Sequence, residues 1–113
     1  MTTPAQPHGL VLIGMPGAGK STVGHLLAAR WSIPFVDTDQ LLEAHSGESL
    51  QSQLDRIGYA AMRKVEEEFV ATCTLPPRAV VSTGGSVVYG PRAMQRLRSY
   101  GPCVYLQISL ETV

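Results

Sequence analysis

The sequence has no excess of charge of either sign, no long hydrophobic run and little cysteine, and each shortage excludes a class of protein. Nine basic and nine acidic side chains give a formal net charge of zero, so the chain lacks the basic field of a nucleic-acid-binding protein. Its longest apolar run, LVLIGM, is far too short to cross a membrane. The preceding segment, MTTPAQPHG, is not typical of a signal peptide. We therefore expect neither a nucleic acid nor a membrane as a partner.

Cysteine and histidine are both sparse and dispersed. Cys73 and Cys103 form no CxxC pattern, and the three histidines show no metal-ligand spacing. We therefore expect reduced thiols, no zinc site and a cytoplasmic protein. Basic residues come closest to a run at Arg92, Arg96 and Arg98. Because Arg92 and Arg96 are four residues apart on a predicted helix, they are typical of a solvated helix face.

Short apolar segments alternate with helical patterns along the chain. Strands are predicted over residues 9–14, 34–37, 79–85 and 103–109, and helices from the glycine-rich segment to residue 31, then over residues 39–47, 49–57, 59–74 and 91–100. This alternation predicts an α/β fold, a doubly wound parallel sheet with flanking helices. The 113 residues fit one domain, in which we expect residues 1–8 to be a flexible N-terminus.

The segment GMPGAGKST, from Gly14 to Thr22, follows the first predicted strand and opens a helix, as a P-loop requires. Gly14, Gly19, Lys20 and Ser21 complete the P-loop pattern. In such a loop the backbone N–H groups and the helix N-terminus bind phosphate oxygens. Lys20 would contact the β- and γ-phosphates, and Ser21 would ligate Mg²⁺. The alternative is a glycine-rich turn without a ligand, but the complete pattern and its flanks favour phosphate binding.

Two carboxylates, Asp37 and Asp39, follow the second predicted strand, at the edge where open α/β sheets bind ligands. One carboxylate of such a pair can hold Mg²⁺ through water, while the other orients or deprotonates an acceptor hydroxyl. Alternatively, Thr38 or Asp39 simply caps the following helix. The neighbouring P-loop favours the functional interpretation.

Two further pairs of residues are open to both a structural and a functional interpretation. Arg63 and Glu66 share one face of a predicted helix, which is typical of an exposed ion pair, but a helical arginine can also clamp a carboxylate. Gly84 and Gly85 end the third predicted strand. Their backbone N–H groups can bind an anion or a hydroxyl, or the glycines can serve only the geometry of a turn.

Together, the motifs GMPGAGKST, PFVDTD, AMRKVE and VVSTGG resemble those of the shikimate kinase family in order and spacing, from Gly9 to about Leu110. The resemblance implies transfer of the γ-phosphoryl group of ATP to the 3-hydroxyl of shikimate, with Mg²⁺ as cofactor, in aromatic amino acid biosynthesis. Such a reaction needs positioning and charge neutralisation more than covalent chemistry. We expect the protein to act as a monomer.

The resemblance also implies roles for individual residues. The ATP-binding residues would be Gly14, Gly17, Ala18, Gly19, Lys20, Ser21 and Thr22. The metal-binding residues would be Ser21 and, through water, Asp37. The substrate-binding residues would be Asp39, Arg63, Glu66, Gly84 and Gly85. Lys20 and Asp39 would be catalytic, with Asp39 facing the acceptor hydroxyl as the base, and Arg63 would bind the substrate carboxylate with Glu66 as its partner.

The sequence departs from the family pattern in three ways. Ser86 replaces the usual third glycine after TGG, and Met62 replaces the usual phenylalanine before the helix arginine. The chain also stops at Val113, in the first turn of a helix that Ser109 would cap. We therefore expect a truncated domain without the arginine-bearing lid, the second substrate-binding arginine and the C-terminal strand. Because an arginine over the transferring phosphoryl group can contribute ~10³-fold or more in rate, we expect this chain alone to be weakly active or inactive.

Two other functions fit the same residues. The first is a kinase for another small hydroxylated metabolite, for which Ser86 leaves room. The second is a catalytically lapsed nucleotide-binding module that regulates or assembles with a partner. The presence of Asp39 and Arg63 argues against this second alternative, because a pure nucleotide-binding module needs no groups on the acceptor side.

Overall fold

The computed structural model describes residues 9–14 and 20–106, with Lys20 and Ser21 described by their backbone. Along the chain lie β1 (Leu10–Gly14), α1 (Lys20–Trp31), β2 (Phe35–Asp37), α2 (Thr38–Ser46), α3 (Leu50–Ile57), α4 (Tyr59–Thr72), β3 (Val80–Gly84), a 3-10 helix (Gly85–Tyr89), α5 (Pro91–Tyr100) and β4 (Cys103–Leu106). The predicted flexible N-terminus, residues 1–8, lies outside the described residues. Within those residues, no helix has the length and apolarity needed to span a membrane.

The strands form one parallel sheet in the order β2-β3-β1-β4. In its register Gly14 at the end of β1 pairs with Gly84, and Asp37 at the end of β2 pairs with Ser82. The carboxyl ends of β1, β2 and β3 therefore meet at one edge of the sheet. The predicted α/β fold with a parallel sheet is confirmed.

Helices cover both faces of this sheet, because successive side chains of a strand point to opposite sides. Ile13 of β1 belongs to a buried cluster with Val70 of α4 and Leu97 of α5. Leu12, its neighbour on β1, packs on the other face with Ala28 of α1. The uninterrupted apolar sequence of β1 follows from this burial on both sides.

The ends of α2, α3 and α4 lie at residues suited to starting or stopping a helix. Gly47 follows α2 with a φ of 75°, and Gly58 separates α3 from α4 with a φ of 86°. Both values lie in the region that favours glycine. Ser49 caps α3 by accepting a hydrogen bond from the backbone N–H of Ser52 at 3.1 Å.

The junction between α4 and α5 replaces a local cap with a side chain from the neighbouring helix. Gly90 precedes α5 and offers no side chain to cap it. Instead, Glu67 of α4 accepts a hydrogen bond from the backbone N–H of Arg92 at 2.9 Å. The guanidinium of Arg92 also pairs with Glu68. The N-terminus of α5 is thus fixed to α4, which carries residues of the candidate site.

Two expectations differ from the observed structure. The turn predicted after β3 is a 3-10 helix that begins at Gly85. Arg96 was expected on a solvated face with Arg92, but it is partly buried and its Nη1 donates to the carbonyl of Val70 at 2.7 Å. The carbonyls in the last turn of α4 lack partners within the helix, and Arg96 satisfies one of them. β4 is described as far as Leu106, so residues 107–109 of the predicted strand lie outside the described residues.

Candidate active site

The strand and the helix that flank the predicted P-loop are both present. β1 ends at Gly14, and α1 begins at Lys20, so the N-terminus of a helix faces the carboxyl edge of the sheet. Thr22 is exposed in the first turn of α1. Gly17, Ala18 and Gly19 lie outside the described residues, as do the side chains of Lys20 and Ser21. Phosphate binding by this loop and its assigned contacts therefore stay a prediction.

Asp37 is the residue that caps α2. Its Oδ1 accepts hydrogen bonds from the backbone N–H groups of Asp39, at 2.9 Å, and Gln40, at 3.3 Å. The cap expected from Thr38 or Asp39 is therefore made one position earlier. Thr38 is buried, and its hydroxyl donates to the carbonyl of Ser82 at 3.3 Å, which joins α2 to β3. Together these bonds fix the orientation of the first turn of α2, which carries Asp39.

Asp39 lies against a strand position that has no side chain. A Cβ atom built on Gly84 would stand 3.8 Å from Oδ2 of Asp39, at ordinary contact distance. The backbone of Gly84 is extended, with a φ of −72°, so its conformation does not require glycine. What glycine provides here is open space beside the Asp39 carboxylate.

Glu66 of α4 places a second carboxyl group near Asp39. Its Oε2 accepts a hydrogen bond from the Ser86 hydroxyl at 3.4 Å. Burial, and next the negative charge of Asp39, raise the pKa of Glu66 above its ordinary value, while Ser86 and Arg63 partly oppose the rise. The site therefore contains a carboxyl group that takes up a proton more readily than a solvated glutamate does.

Arg63 is exposed on the same helix, and its guanidinium lies over two aromatic rings. Its guanidinium carbon lies 5.5 Å from the centre of the Tyr59 ring and 4.9 Å from that of Tyr89. The ion pairs between described residues are Arg56–Glu48 and Arg92–Glu68. The close Arg63–Glu66 ion pair, one of the two interpretations of the spacing, is therefore not formed; Glu66 accepts from the Ser86 hydroxyl.

The tyrosines beside Arg63 were not identified from the sequence. Tyr59 precedes Arg63 by four residues on α4, a spacing that brings side chains together on a helix, and this signal was available. Tyr89 reaches the same guanidinium from the end of the 3-10 helix. Arg63 and Tyr89 are brought together by tertiary packing, so no local sequence pattern predicts their contact.

A pocket of about 500 Å³ opens between α4 and the 3-10 helix. It is lined by Arg63, Glu66, Ser86 and both tyrosines, and its volume lies in the range of roughly 300–1,000 Å³ typical of small-molecule sites. A cleft lined by Asp39, Glu66 and Gly84 adjoins it, since the two share Glu66. Of the predicted acceptor-side residues, Asp39, Glu66 and Gly84 thus lie together, and Arg63 lies at the mouth of the adjoining pocket.

These features define the class of the protein. The parallel sheet has helices on both faces, its first strand leads through a glycine-rich segment into a helix, and acidic residues lie at its carboxyl edge. The chain is an α/β protein with the fold typical of P-loop proteins.

Comparison with known proteins identifies the family within that class. The family model for shikimate kinase matches residues 16–113, and the chain belongs to the shikimate kinase family. The shikimate kinase of Paracidovorax citrulli is 47% identical over 105 residues, which cover 90% of this chain and 57% of that protein. That of Paramagnetospirillum magneticum is 40% identical over 102 residues, covering 90% of this chain and 52% of the relative. The chain therefore spans a little more than half the length of these relatives.

Solved structures show the same fold. Shikimate kinase from Aquifex aeolicus superposes with a TM-score of 0.79 at 34% identity, covering 92% of this chain and 62% of its own. Shikimate kinase from Acinetobacter baumannii, in complex with shikimate, superposes with a TM-score of 0.79 at 28% identity, covering 95% of this chain and 59% of its own.

Proposed function

We propose that this chain carries the nucleotide side and much of the acceptor side of an enzyme that transfers the γ-phosphoryl group of ATP to the 3-hydroxyl of shikimate. Membership of the family supports the reaction class, and the Acinetobacter baumannii relative is in complex with shikimate. The observation that carries the proposal is the position of Asp39 beside Gly84, next to the end of the strand that leads into the P-loop.

On the nucleotide side, we assign ATP to the loop from Gly14 to Thr22, with Lys20 at the β- and γ-phosphates. Mg²⁺ would be held by Ser21 and, through water, by Asp37. Asp37 suits this role because both of its cap bonds go to Oδ1 and neither goes to Oδ2. Mg²⁺ takes oxygen ligands and keeps several of its waters, so a carboxylate oxygen can hold it through water. When bound, the metal neutralises charge on the phosphates.

On the acceptor side, Asp39 would accept the proton of the attacking hydroxyl. Arg63 would bind the carboxylate of the acid, and Gly84 and Gly85 would line the substrate. Glu66 supports this arrangement, because it lines the cleft with Asp39 and Gly84 and the pocket with Arg63.

Calorimetry on the 113-residue chain, with ATP and Mg²⁺ first and shikimate second, tests this assignment. The chain should bind both ligands. Arg63→Gln should weaken shikimate about 10- to 100-fold, because a charged hydrogen-bond donor to a carboxylate is lost, and should leave ATP affinity unchanged. Arg98→Gln, at an exposed arginine of α5, is the matched control. A chain that binds nucleotide but no acid would instead be the lapsed nucleotide-binding module.

A kinase for another small hydroxylated metabolite is the second candidate. It is favoured by Ser86, whose side chain lines the acceptor pocket where a glycine is usual in the family. Parallel assays of shikimate and other small hydroxy acids, with consumption of ATP as the readout, distinguish the two functions. The same assay tests the prediction that this chain alone turns over slowly or not at all.

We also propose the setting in which the protein acts. Residues 1–113 would belong to one kinase domain, and the protein would be a cytoplasmic monomer that binds neither nucleic acid nor membrane. The formal net charge of zero supports the last point. Sedimentation of the purified chain tests the monomer, and cell fractionation tests the location.

A further inference from the structure

Two large aromatic side chains are exposed at the mouth of the acceptor pocket. Tyr59 is 66% exposed and Tyr89 is 69% exposed. They come from different elements, since Tyr59 opens α4 and Tyr89 ends the 3-10 helix. Both rings nevertheless lie within 5.5 Å of the Arg63 guanidinium carbon. Neither ring is held in place by burial in the core, and the feature they share is this contact with Arg63.

The contact suits an arginine that must remain available to a ligand. A cation within about 6 Å of an aromatic centre is attracted to the face of the ring. Such a ring holds the guanidinium without occupying the N–H donors at its edge, which match a carboxylate. The neighbouring carboxyl group of Glu66 accepts instead from Ser86. The guanidinium of Arg63 thus lies over two aromatic rings, while the ion pairs between described residues are Arg56–Glu48 and Arg92–Glu68.

We propose that Tyr59 and Tyr89 form an aromatic clamp that positions the Arg63 guanidinium to receive the carboxylate of the acceptor acid. The clamp rests on the proposed function for the identity of the acid. Both tyrosines are positioning residues, because they act through Arg63. By restricting the rotamers of Arg63 before binding, the rings reduce the conformational entropy lost when the acid binds.

Removing one ring should weaken acid binding selectively. Tyr59→Leu and Tyr89→Leu should each raise the dissociation constant for shikimate about two- to fivefold, as expected for an exposed cation–π contact. The double variant should show a larger loss. Tyr59→Phe and Tyr89→Phe keep the rings and should bind as the unmodified chain does. Nucleotide affinity should be unchanged throughout, because the clamp lies on the acceptor side.

Tyr105→Leu provides a matched control. Tyr105 is 54% exposed on β4 and does not line the acceptor pocket, so its loss should affect neither ligand. Thermal unfolding of every variant separates a lost clamp from a damaged fold. Equal shikimate affinity in the unmodified chain and in the folded double leucine variant would overturn the proposal.

The Arg63 side-chain NMR signals provide a readout that does not depend on the acid. Ring currents should shift these signals in the unmodified chain and in the phenylalanine variants, and each leucine variant should remove part of the shift. Unchanged Arg63 signals in both leucine variants would overturn the clamp. If the signals respond but no acid binds, the positioning of Arg63 stands and the substrate assignment fails. If shikimate binds equally to all variants, the clamp fails and the assignment stands.

Discussion

The two sides of the candidate site are built in different ways. Apart from Asp37, the proposed nucleotide side is one continuous segment between β1 and α1, whereas the proposed acceptor side combines residues from α2, α4, β3 and the 3-10 helix. A continuous segment needs only its two flanking elements to be placed. An assembled pocket needs several packing contacts to be correct at once. Substitutions that weaken the contacts between α4 and α5 should therefore reduce acid binding more than nucleotide binding.

The largest effect is expected from substituting Asp39, which should slow phosphoryl transfer without weakening nucleotide binding. Asp39→Asn should lower the already slow rate of phosphoryl transfer expected of this chain by about a further 10²- to 10⁴-fold, the usual contribution of a general base, and leave ATP affinity unchanged. The measurement is single-turnover product formation with excess chain, beside calorimetry with ATP. Asp55→Asn, at an exposed acid of α3 bonded to Gln51, is the control. An equal loss in both variants would contradict the role given to Asp39.

A smaller effect, on stability, is expected from weakening the junction between α4 and α5. Glu67→Ala removes the acceptor for the Arg92 N–H at the start of α5 and should lower the free energy of unfolding by about 1 kcal/mol, as loss of a helix cap does. Glu67→Gln keeps an acceptor oxygen and should lose less. Glu68→Ala breaks an exposed ion pair, for which roughly 0–1 kcal/mol is expected.

Urea unfolding measures these three variants, and calorimetry then compares their two ligands. In Glu67→Ala the affinity for shikimate should fall more than the affinity for ATP, because α4 carries Arg63 and Glu66. If both affinities fall equally, the nucleotide side depends on the packing of α4 and α5 as much as the acceptor side does, and the proposed difference between the two sides is wrong.

The smallest effect concerns the pH dependence of stability. The pKa of Glu66 is raised by burial and by Asp39, so between its ordinary value of 4.5 and its raised value the folded chain binds more protons than the unfolded chain. The protonated Glu66 therefore contributes to the free energy of unfolding. This contribution is complete below the ordinary pKa and is lost as pH rises through the folded pKa. Glu66→Gln removes this loss, so its stability relative to the unmodified chain should increase with pH.

Glu48→Gln provides a control of opposite sign. Hydrogen bonds from Arg56 and Ser52 lower the pKa of Glu48, and the stability they bring is present above the ordinary pKa and lost as pH falls through the folded pKa. The relative stability of Glu48→Gln should therefore decrease as pH rises. Urea unfolding across an acid-to-neutral pH series gives both trends, and trends of the same sign would exclude the assigned environment of Glu66.

The contrast between the two sides also explains how much could be predicted from sequence. The parallel sheet followed from buried apolar runs such as that around Leu12, and α2, α3 and α4 were predicted to within two residues of their observed ends. The 3-10 helix was missed because Gly85 and the residues after it show no helical period. The Arg63–Tyr89 contact was missed because it joins two elements through tertiary packing, and the Ser86–Glu66 bond was missed for the same reason.

Asp37 has a consequence for how such a protein would change if selection for its activity were relaxed. Its carboxylate starts α2 whether or not a metal is ever bound, so drift at this position would meet resistance from folding alone. In descendants of this chain, an intact Asp37 would therefore say little about whether the protein is still active.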